Sequence, residues 1–514
     1  MRLINTRTFE LKEFSNPKTR PRYAILSHRW LEDEISFQHM QNLAQYRHLD
    51  GYSKLAWFCY KAREYGYEWG WQDTCCINDA NLMEKSEAIN SMFAWYRESD
   101  VCFVYLHDLT APGLKDISGI RLEEALMPCD WFKRGWTLQE LIAPRKVWFF
   151  DYSWNKFGTR HDMDRELHKV THISTALLNN RSKLEHFSIA QKMSWAAFRQ
   201  TTKVEDRAYS LLGLFGINMS LLYGEGDNAF FRLQEELIKQ SSDQSILAWT
   251  LPYEDTAVLS GRSMVKGMPF QILAPSPDCF HRSTTVPFAI RKNYDTRTPP
   301  RPLLTSFEEP FRVTNRGLEI KLLGQKVGEL SMGHGDGGVT VREVYRVLLN
   351  CFNSNAADDH ALVIYLVRSS YERNSQYHRS NPYLLREYNV AKVRKHSGWS
   401  PMWFLIEPLW RAPTSELPGK PSRRFIMALR NRARDCDDTM GRMMKQERPL
   451  NAIQEQRRQA RRFPRPIPVE LDSSSESNSV EHDDGSWSET DSDEHDDDPI
   501  YLVSDGEEGY DRRY

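Results

Sequence analysis

The first 155 residues are predicted to form an α/β domain, a parallel sheet with helices packed on both faces. Three observations predict it. Short apolar runs of strand character recur at 23–26, 69–77, 101–106 and 147–150. Stripes of helical period separate them, and polar residues gather where the runs end. Strands that alternate with helices in this way are joined by crossovers and therefore run parallel.

Tyr23-Ala24-Ile25-Leu26 is wholly apolar and stops at Ser27-His28-Arg29. Leu55, Phe58, Cys59 and Ala62 then fall at i, i+3, i+4 and i+7, one face of a helix. The second run, 69–77, reads as a strand interrupted by Asp73. Ile89, Met92, Phe93 and Tyr96 repeat the helical spacing. Residues 101–106 are apolar throughout, as a strand buried on both faces requires. Leu138, Leu141 and Ile142 mark a further helix, and Val147-Trp148-Phe149-Phe150 the fourth strand.

Past this domain the pattern changes twice. Residues 156–255 read as mainly helical, most clearly over 229–239. Residues 256–412 read as a β-rich module, with short runs such as 318–322 and 361–367 separated by Pro and Gly turns. From 413 to 514 packed periodicity fades, and the composition predicts a disordered tail, basic and then acidic. Residues 420–465 hold 14 Lys and Arg against five acids, and 471–514 hold 16 acids against two arginines. The formal net charge of −2 is thus a tail of −14 set against +12 on the other 470 residues. The basic stretch has few aromatics and no recognisable binding fold, so it is expected to pair with the acidic tail, and nucleic acid is not an expected partner.

Several classes are excluded. No uncharged run reaches 18 residues, so no membrane span is expected. The charged start does not read as a signal peptide. Eight cysteines with no CxxC predict reduced thiols, not a disulfide framework or a zinc site. The expected compartment is the cytoplasm, with the nucleus left open. GxxxxGK[ST], GxSxG and HExxH are absent. Residues 333–338 match GxGxxG in spacing, but a β-type run follows where a helix should start, so a turn is predicted.

In a parallel α/β sheet, ligands gather beyond the carboxyl ends of the strands. Ser27, His28, Arg29 and Trp30 end the first strand, and Asp73 lies late in the second. His107 and Asp108 follow the third, and Glu140 sits on the helix leading to the fourth. Trp30 and Trp136 are available for stacking. The same residues would equally serve to cap helices and satisfy buried backbone groups, and pattern alone leaves both readings open.

These residues carry a resemblance. The segment Tyr23-Ala24-Ile25-Leu26-Ser27-His28-Arg29-Trp30 resembles the opening motif of the fungal heterokaryon-incompatibility (HET) domain. Trp71-Gln72-Asp73-Thr74-Cys75-Cys76-Ile77-Asn78 resembles its second motif, with Glu87 to Met92 following, and the stretch from Trp131 to Leu141 its third. The block from Ser194 through Gly213 and on to Trp249 is similar to the segment that follows the domain in such proteins. The resemblance implies non-self recognition and regulated cell death after fusion of unlike fungal cells, with an unidentified incompatibility partner. Larger members add a NACHT-type NTPase and a repeat array, and the absence of a P-loop motif and of repeats here predicts a chain without that sensor part.

HET domains are similar in turn to TIR domains, a flavodoxin-like signalling fold. Arg134 to Leu141 looks like the TIR segment whose glutamate is catalytic in NAD-cleaving members, which would fall on Glu140. The resemblance implies NAD as a substrate and no cofactor. Ser27, His28, Arg29, Trp30, Asp73 and Trp136 would then contact the nucleotide. The alternatives are a non-enzymatic adaptor acting by self-association of this domain, with Glu140 paired to Arg134 or Arg145, and an inactive regulatory homologue.

Overall fold

The computed structural model describes residues 1–109, 120–251, 271–286, 310–333, 339–352, 360–368, 376–380, 385–389, 393 and 398–406. The expected tail from 413 and the turn at 334–338 lie outside the described residues.

The chain opens with β1 (Arg2–Asn5), β2 (Leu11–Glu13) and β3 (Tyr23–His28), followed by α1 (Asp50–Glu64) and β4 (Trp69–Trp71). Then come α2 (Asp73–Cys76), α3 (Leu82–Glu98), β5 (Val101–Tyr105), α4 (Ile120–Leu126), α5 (Thr137–Ile142), β6 (Val147–Phe150) and β7 (Lys156–Thr159). The strands form one sheet in the order β2-β1-β4-β3-β5-β6-β7. Its middle, β4-β3-β5-β6, is parallel. Both edges are antiparallel, through β1 on β4, β2 on β1 and β7 on β6.

The sheet is therefore mixed, which corrects the expected all-parallel one. Each edge strand is only three or four residues long and partly exposed, so none has an apolar run to reveal it. A second correction falls on 69–77. The strand stops at Trp71, and Asp73 opens the short helix α2 with Cys75 and Cys76 buried on it. A short apolar run cannot by itself tell a strand from a helical turn. Because β7 pairs with β6, the sheet also extends past the expected boundary at 155.

The predicted stripes are the packed ones. Leu55, Phe58, Cys59 and Ala62 of α1 are buried, as are Ile89, Met92 and Tyr96 of α3. Asn81 caps α3 by accepting from the amides of Met83 and Glu84. Where α1 crosses β4, a Cβ on Gly70 would lie 2.8 Å from the Phe58 ring, so that close approach requires glycine. In the parallel core, chain order reverses between β3 and β5, because α1 leads to one side of β3 and α3 returns to the other. That reversal is the topological switch point, the place beyond the strand ends where ligands bind in open sheets of this kind.

The following region is helical as expected: α6 (Asp164–Thr171), α7 (Thr175–Leu178), α8 (Ile189–Ala196), α9 (Asp206–Tyr209), α10 (Leu212–Phe215) and α11 (Asn228–Gln240). A capping box between Ser188 and Gln191 starts α8. A Cβ on Gly213 would meet Phe93 at 2.1 Å, so α10 lies directly against α3.

The β-rich module holds β8 (Arg312–Thr314), β9 (Gly317–Gly333), β10 (Val339–Phe352), β11 (His360–Arg368), β12 (Gln376–Ser380), β13 (Arg386–Asn389) and β14 (Ser400–Ile406). The pairings β9-β10-β11-β12-β14 return to β9, so five strands close on themselves. Among the described strands of this module only β12 and β14 pair in parallel. Closure removes the free edges that long β9 and β10 would otherwise expose. Tyr345, Tyr377 and Phe404 pack edge to face, with centroids 4.9–6.2 Å apart. Arg379 ties this module to the helical region by donating to the carbonyls of Leu247 and Trp249 at 2.5 and 2.7 Å. One hydrophobic core runs from Leu3 to Ile406.

Candidate functional site

The first strand delivers two polar side chains into the interior. Ser27 and His28 end β3 and are both buried. Ser27 Oγ donates to Glu140 Oε2 at 2.5 Å and accepts from Trp131 Nε1 at 2.9 Å. Glu140 comes from α5, which packs on β3 and α3, and is 4% exposed. Burial pushes its carboxyl up to about 8, and the nearby charge of Asp73 adds to the effect, while the Ser27 bond opposes both. The acid is therefore mostly neutral at pH 7. Tyr96 lies on the same side, its hydroxyl donating to the Leu26 carbonyl at 2.9 Å.

His28 continues the cluster. Its Nε2 lies 2.9 Å from Asp73 Oδ1, and Asp73 Oδ2 accepts from Trp30 Nε1 at 2.7 Å. Burial raises the Asp73 carboxyl, but the bonds from His28 and Trp30 outweigh it and leave the group below its ordinary value. Among the described residues His28 Nδ1 has no hydrogen-bond partner, and Glu34 Oε1 is 3.8 Å away. Lys54 of α1 is buried, pairs with Glu34 and donates to the Arg29 carbonyl at 3.3 Å. Glu34 accepts from the Leu31 amide at 2.7 Å. Burial lowers the Lys54 ammonium, with Glu34 opposing. This pair folds the segment after β3 back onto α1, where Gly51 allows the Asp33 carbonyl to approach.

The outer rim is more open. Trp30 is 45% exposed, and the Arg134 guanidinium stands 5.3 Å from its ring centroid. Arg29 pairs with Asp130 at 2.8 Å. Asp108 accepts from the Asp130 amide at 2.7 Å, and burial lowers the His107 imidazole beside it.

Of the residues singled out in the sequence, Ser27 bonds Glu140 while His28 and Trp30 bond Asp73, two hydrogen-bonded sets related by the charge of Asp73 acting on Glu140, and Arg29 pairs outside both with Asp130. Trp136 turns instead toward α9, with Nε1 3.4 Å from Asp206 Oδ2. Glu140 is hydrogen-bonded to Ser27 and to neither Arg134 nor Arg145; the Arg145 carbonyl accepts from Arg160. Glu34, Lys54, Tyr96 and Trp131 also belong to the site, although the sequence pattern does not single them out. Lys54 had one visible signal, a cation one residue before the apolar stripe of α1. Among the described residues no group of three or more His, Cys, Asp or Glu side chains is placed to hold a metal ion. No helix among them is long and apolar enough to cross a membrane.

Comparison with known proteins agrees with the motifs. Residues 23–125 match the family model of heterokaryon incompatibility protein (HET), and residues 228–299 match a domain of unknown function (DUF8212). Over 238 residues the chain is 41% identical to vegetative incompatibility protein HET-E-1 of Podospora anserina. That alignment covers 46% of this chain and 17% of the relative, so the chain spans under a fifth of the relative's length. No solved structure matches. Glu140 and the third motif lie beyond the segment that the HET model matches.

Proposed function

We propose that this chain acts in vegetative incompatibility, as its Podospora anserina relative is named for doing, and that its N-terminal α/β domain delivers the cell-death signal. We assign that signal to TIR-like cleavage of the nicotinamide–ribose bond of NAD or a related nucleotide. The observation that carries this reading is the buried Ser27–Glu140 pair at the switch point, beneath a rim bearing Arg29 and Trp30.

Breaking the C–N glycosidic bond builds positive charge on the ribose. Nicotinamide leaves as a neutral base with the bonding electron pair, and water adds at the anomeric carbon and loses a proton. Ribose hydroxyls take over the hydrogen bond that Ser27 now gives Glu140, and the minor fraction of Glu140 that is ionised at pH 7 stabilises the sugar cation. Trp30, oriented by Asp73 and His28, offers a stacking face. Arg29 exchanges Asp130 for phosphate. Trp136, held by Asp206, is the weaker stacking candidate.

The full chain incubated with NAD should release nicotinamide, and Glu140→Gln should abolish the release while keeping the fold. Release undiminished in Glu140→Gln, or none from the parent chain at high concentration, would sink this assignment. The burial of Glu140 favours a second reading. Its carboxyl is 4% exposed and already hydrogen-bonded, as in a structural pin. On that reading the domain signals by self-association, and Glu140→Gln keeps its killing activity in cells.

A further inference from the structure

Helix α5 has only six residues, too few to hold its own orientation, yet it carries Glu140. Besides packing on β3 and α3, it is held from beyond the segment matched by the HET model. Arg199, which follows α8, is buried and donates from Nη1 to the Arg134 carbonyl at 3.0 Å and to Thr137 Oγ1 at 3.2 Å. Its Nε donates to the Trp195 carbonyl at 2.9 Å. Thr137 Oγ1 donates in turn to the Trp131 carbonyl at 2.6 Å, and Trp131 is the residue that bonds Ser27. The next residue, Gln200, pairs with the same segment: its amide donates to the Lys133 carbonyl at 2.6 Å, and its carbonyl accepts from the Gly135 amide at 2.8 Å. A Cβ on Gly135 would sit 2.6 Å from the Thr201 side chain, so the two segments lie close together there. At the other end of α5, Arg160 donates to the carbonyls of Leu141 and Ile142 at 2.6 and 3.2 Å. The Glu140 charge opposes the burial that pulls the Arg199 guanidinium down to about 10.

We infer that Arg199 is a positioning residue for Glu140, so that the working unit of the crevice includes residues 199–200 and is incomplete without the helical region. This rests on the nucleotide-cleaving reading for its consequence but not for its geometry. A guanidinium suits the task because one rigid plane carries Nη1 to the Arg134 carbonyl and the Thr137 hydroxyl while Nε holds the Trp195 carbonyl, a spread that a single ammonium nitrogen cannot reproduce.

The test uses the full chain as Arg199→Met, with Arg379→Met as the comparator, since Arg379 is an equally buried arginine that binds carbonyls far from α5 in the sequence. The Glu140 titration is followed by the infrared carboxyl band that Glu140→Gln removes, and nicotinamide release is measured in parallel. Arg199→Met should cut the carboxylate fraction at fixed pH about tenfold, because a nearby cation is lost. It should lower kcat about tenfold or more with KM within about twofold. Arg379→Met should leave the titration where it was. If Arg199→Met fails to fold, Arg199→Lys replaces it: charge is kept and the fork lost, so the titration stays near that of the parent and kcat falls. An unmoved titration in folded Arg199→Met, an equal displacement by Arg379→Met, or full kcat in Arg199→Lys overturns the inference. Absence of nicotinamide release from the parent chain defeats the NAD reading alone, and the titration still decides the role of Arg199.

Discussion

Two glutamates, one on a helix packed against the first sheet and one in the second sheet, are driven in opposite directions. Burial in the crevice of the first sheet pushes Glu140 up to about 8. On the second sheet, bonds from Lys326 and Tyr345, joined by Arg368, hold Glu343 down to about 2. Lys326 also reaches Glu329, at 2.8 Å, so the Glu343 group is an exposed network of mutually compensated charges. The Glu140 group is a set of titratable residues shut away from water without a full complement of opposite charge. An ion network on the surface stabilises little and costs little. A carboxyl held in the interior at the wrong pKa destabilises the fold, and such groups concentrate where chemistry is done.

The largest test of this contrast is the pH dependence of stability. Folded Glu140 titrates near 8 against an ordinary 4.5, so between those values the native state binds a proton that the unfolded chain has lost. Its contribution is complete below about 4.5 and is lost as pH rises through 8, by up to about 1.4 kcal/mol per pH unit. Urea midpoints of the parent chain should fall over that window relative to Glu140→Gln, and parallel profiles would remove the contrast. Next in size is Arg160→Met, which strips buried carbonyls of α5 of their donor and should cost about 3 kcal/mol in denaturant titration. A loss below about 1 kcal/mol would show that α5 is not held from its C-terminal end.

Ser27→Ala removes one bond to Glu140 and leaves Trp131 Nε1 without an acceptor. The expected cost is about 1–2 kcal/mol, and the infrared carboxyl band of Glu140 should titrate higher than in the parent. The smallest effect belongs to Glu343→Gln. Its folded pKa lies below 4.5, so its stabilisation is present above that value and lost as pH falls toward 2. Partial exposure screens it, and at neutral pH the change should stay within about 0.5 kcal/mol and shrink further in salt. A larger, salt-insensitive loss would place Glu343 with Glu140 and not against it.

Much of the fold was legible in advance because burial writes itself as periodicity. The stripe 55–62 and the run 101–105 lie buried where the pattern put them. The edge strands at 2–5 and 156–159 left no such trace, since a half-exposed strand of four residues has no apolar run. By sequence pattern Asp73 stands near a strand end, but in the structure the chain has already turned into α2 there. Within the site, Ser27, His28 and Glu140 could be chosen because each is polar beside an apolar run. Lys54 and Arg199 could not, because a long cationic side chain looks the same in sequence whether it reaches solvent or a buried carbonyl.

By itself, then, the sequence determined the α/β order of the first domain, the polar residues at its strand ends, the helical and β-rich regions beyond, and the HET motifs. These depend on neighbours a few residues apart, where side-chain period and motif spacing are direct records of local conformation. Only the tertiary structure decided that Glu140 faces Ser27 across 113 positions, that Trp136 turns to Asp206, and that Arg199 holds α5 in place. Those choices depend on which distant groups lose their water together, and the cost of leaving any of them unpaired exists only once the chain has closed around them.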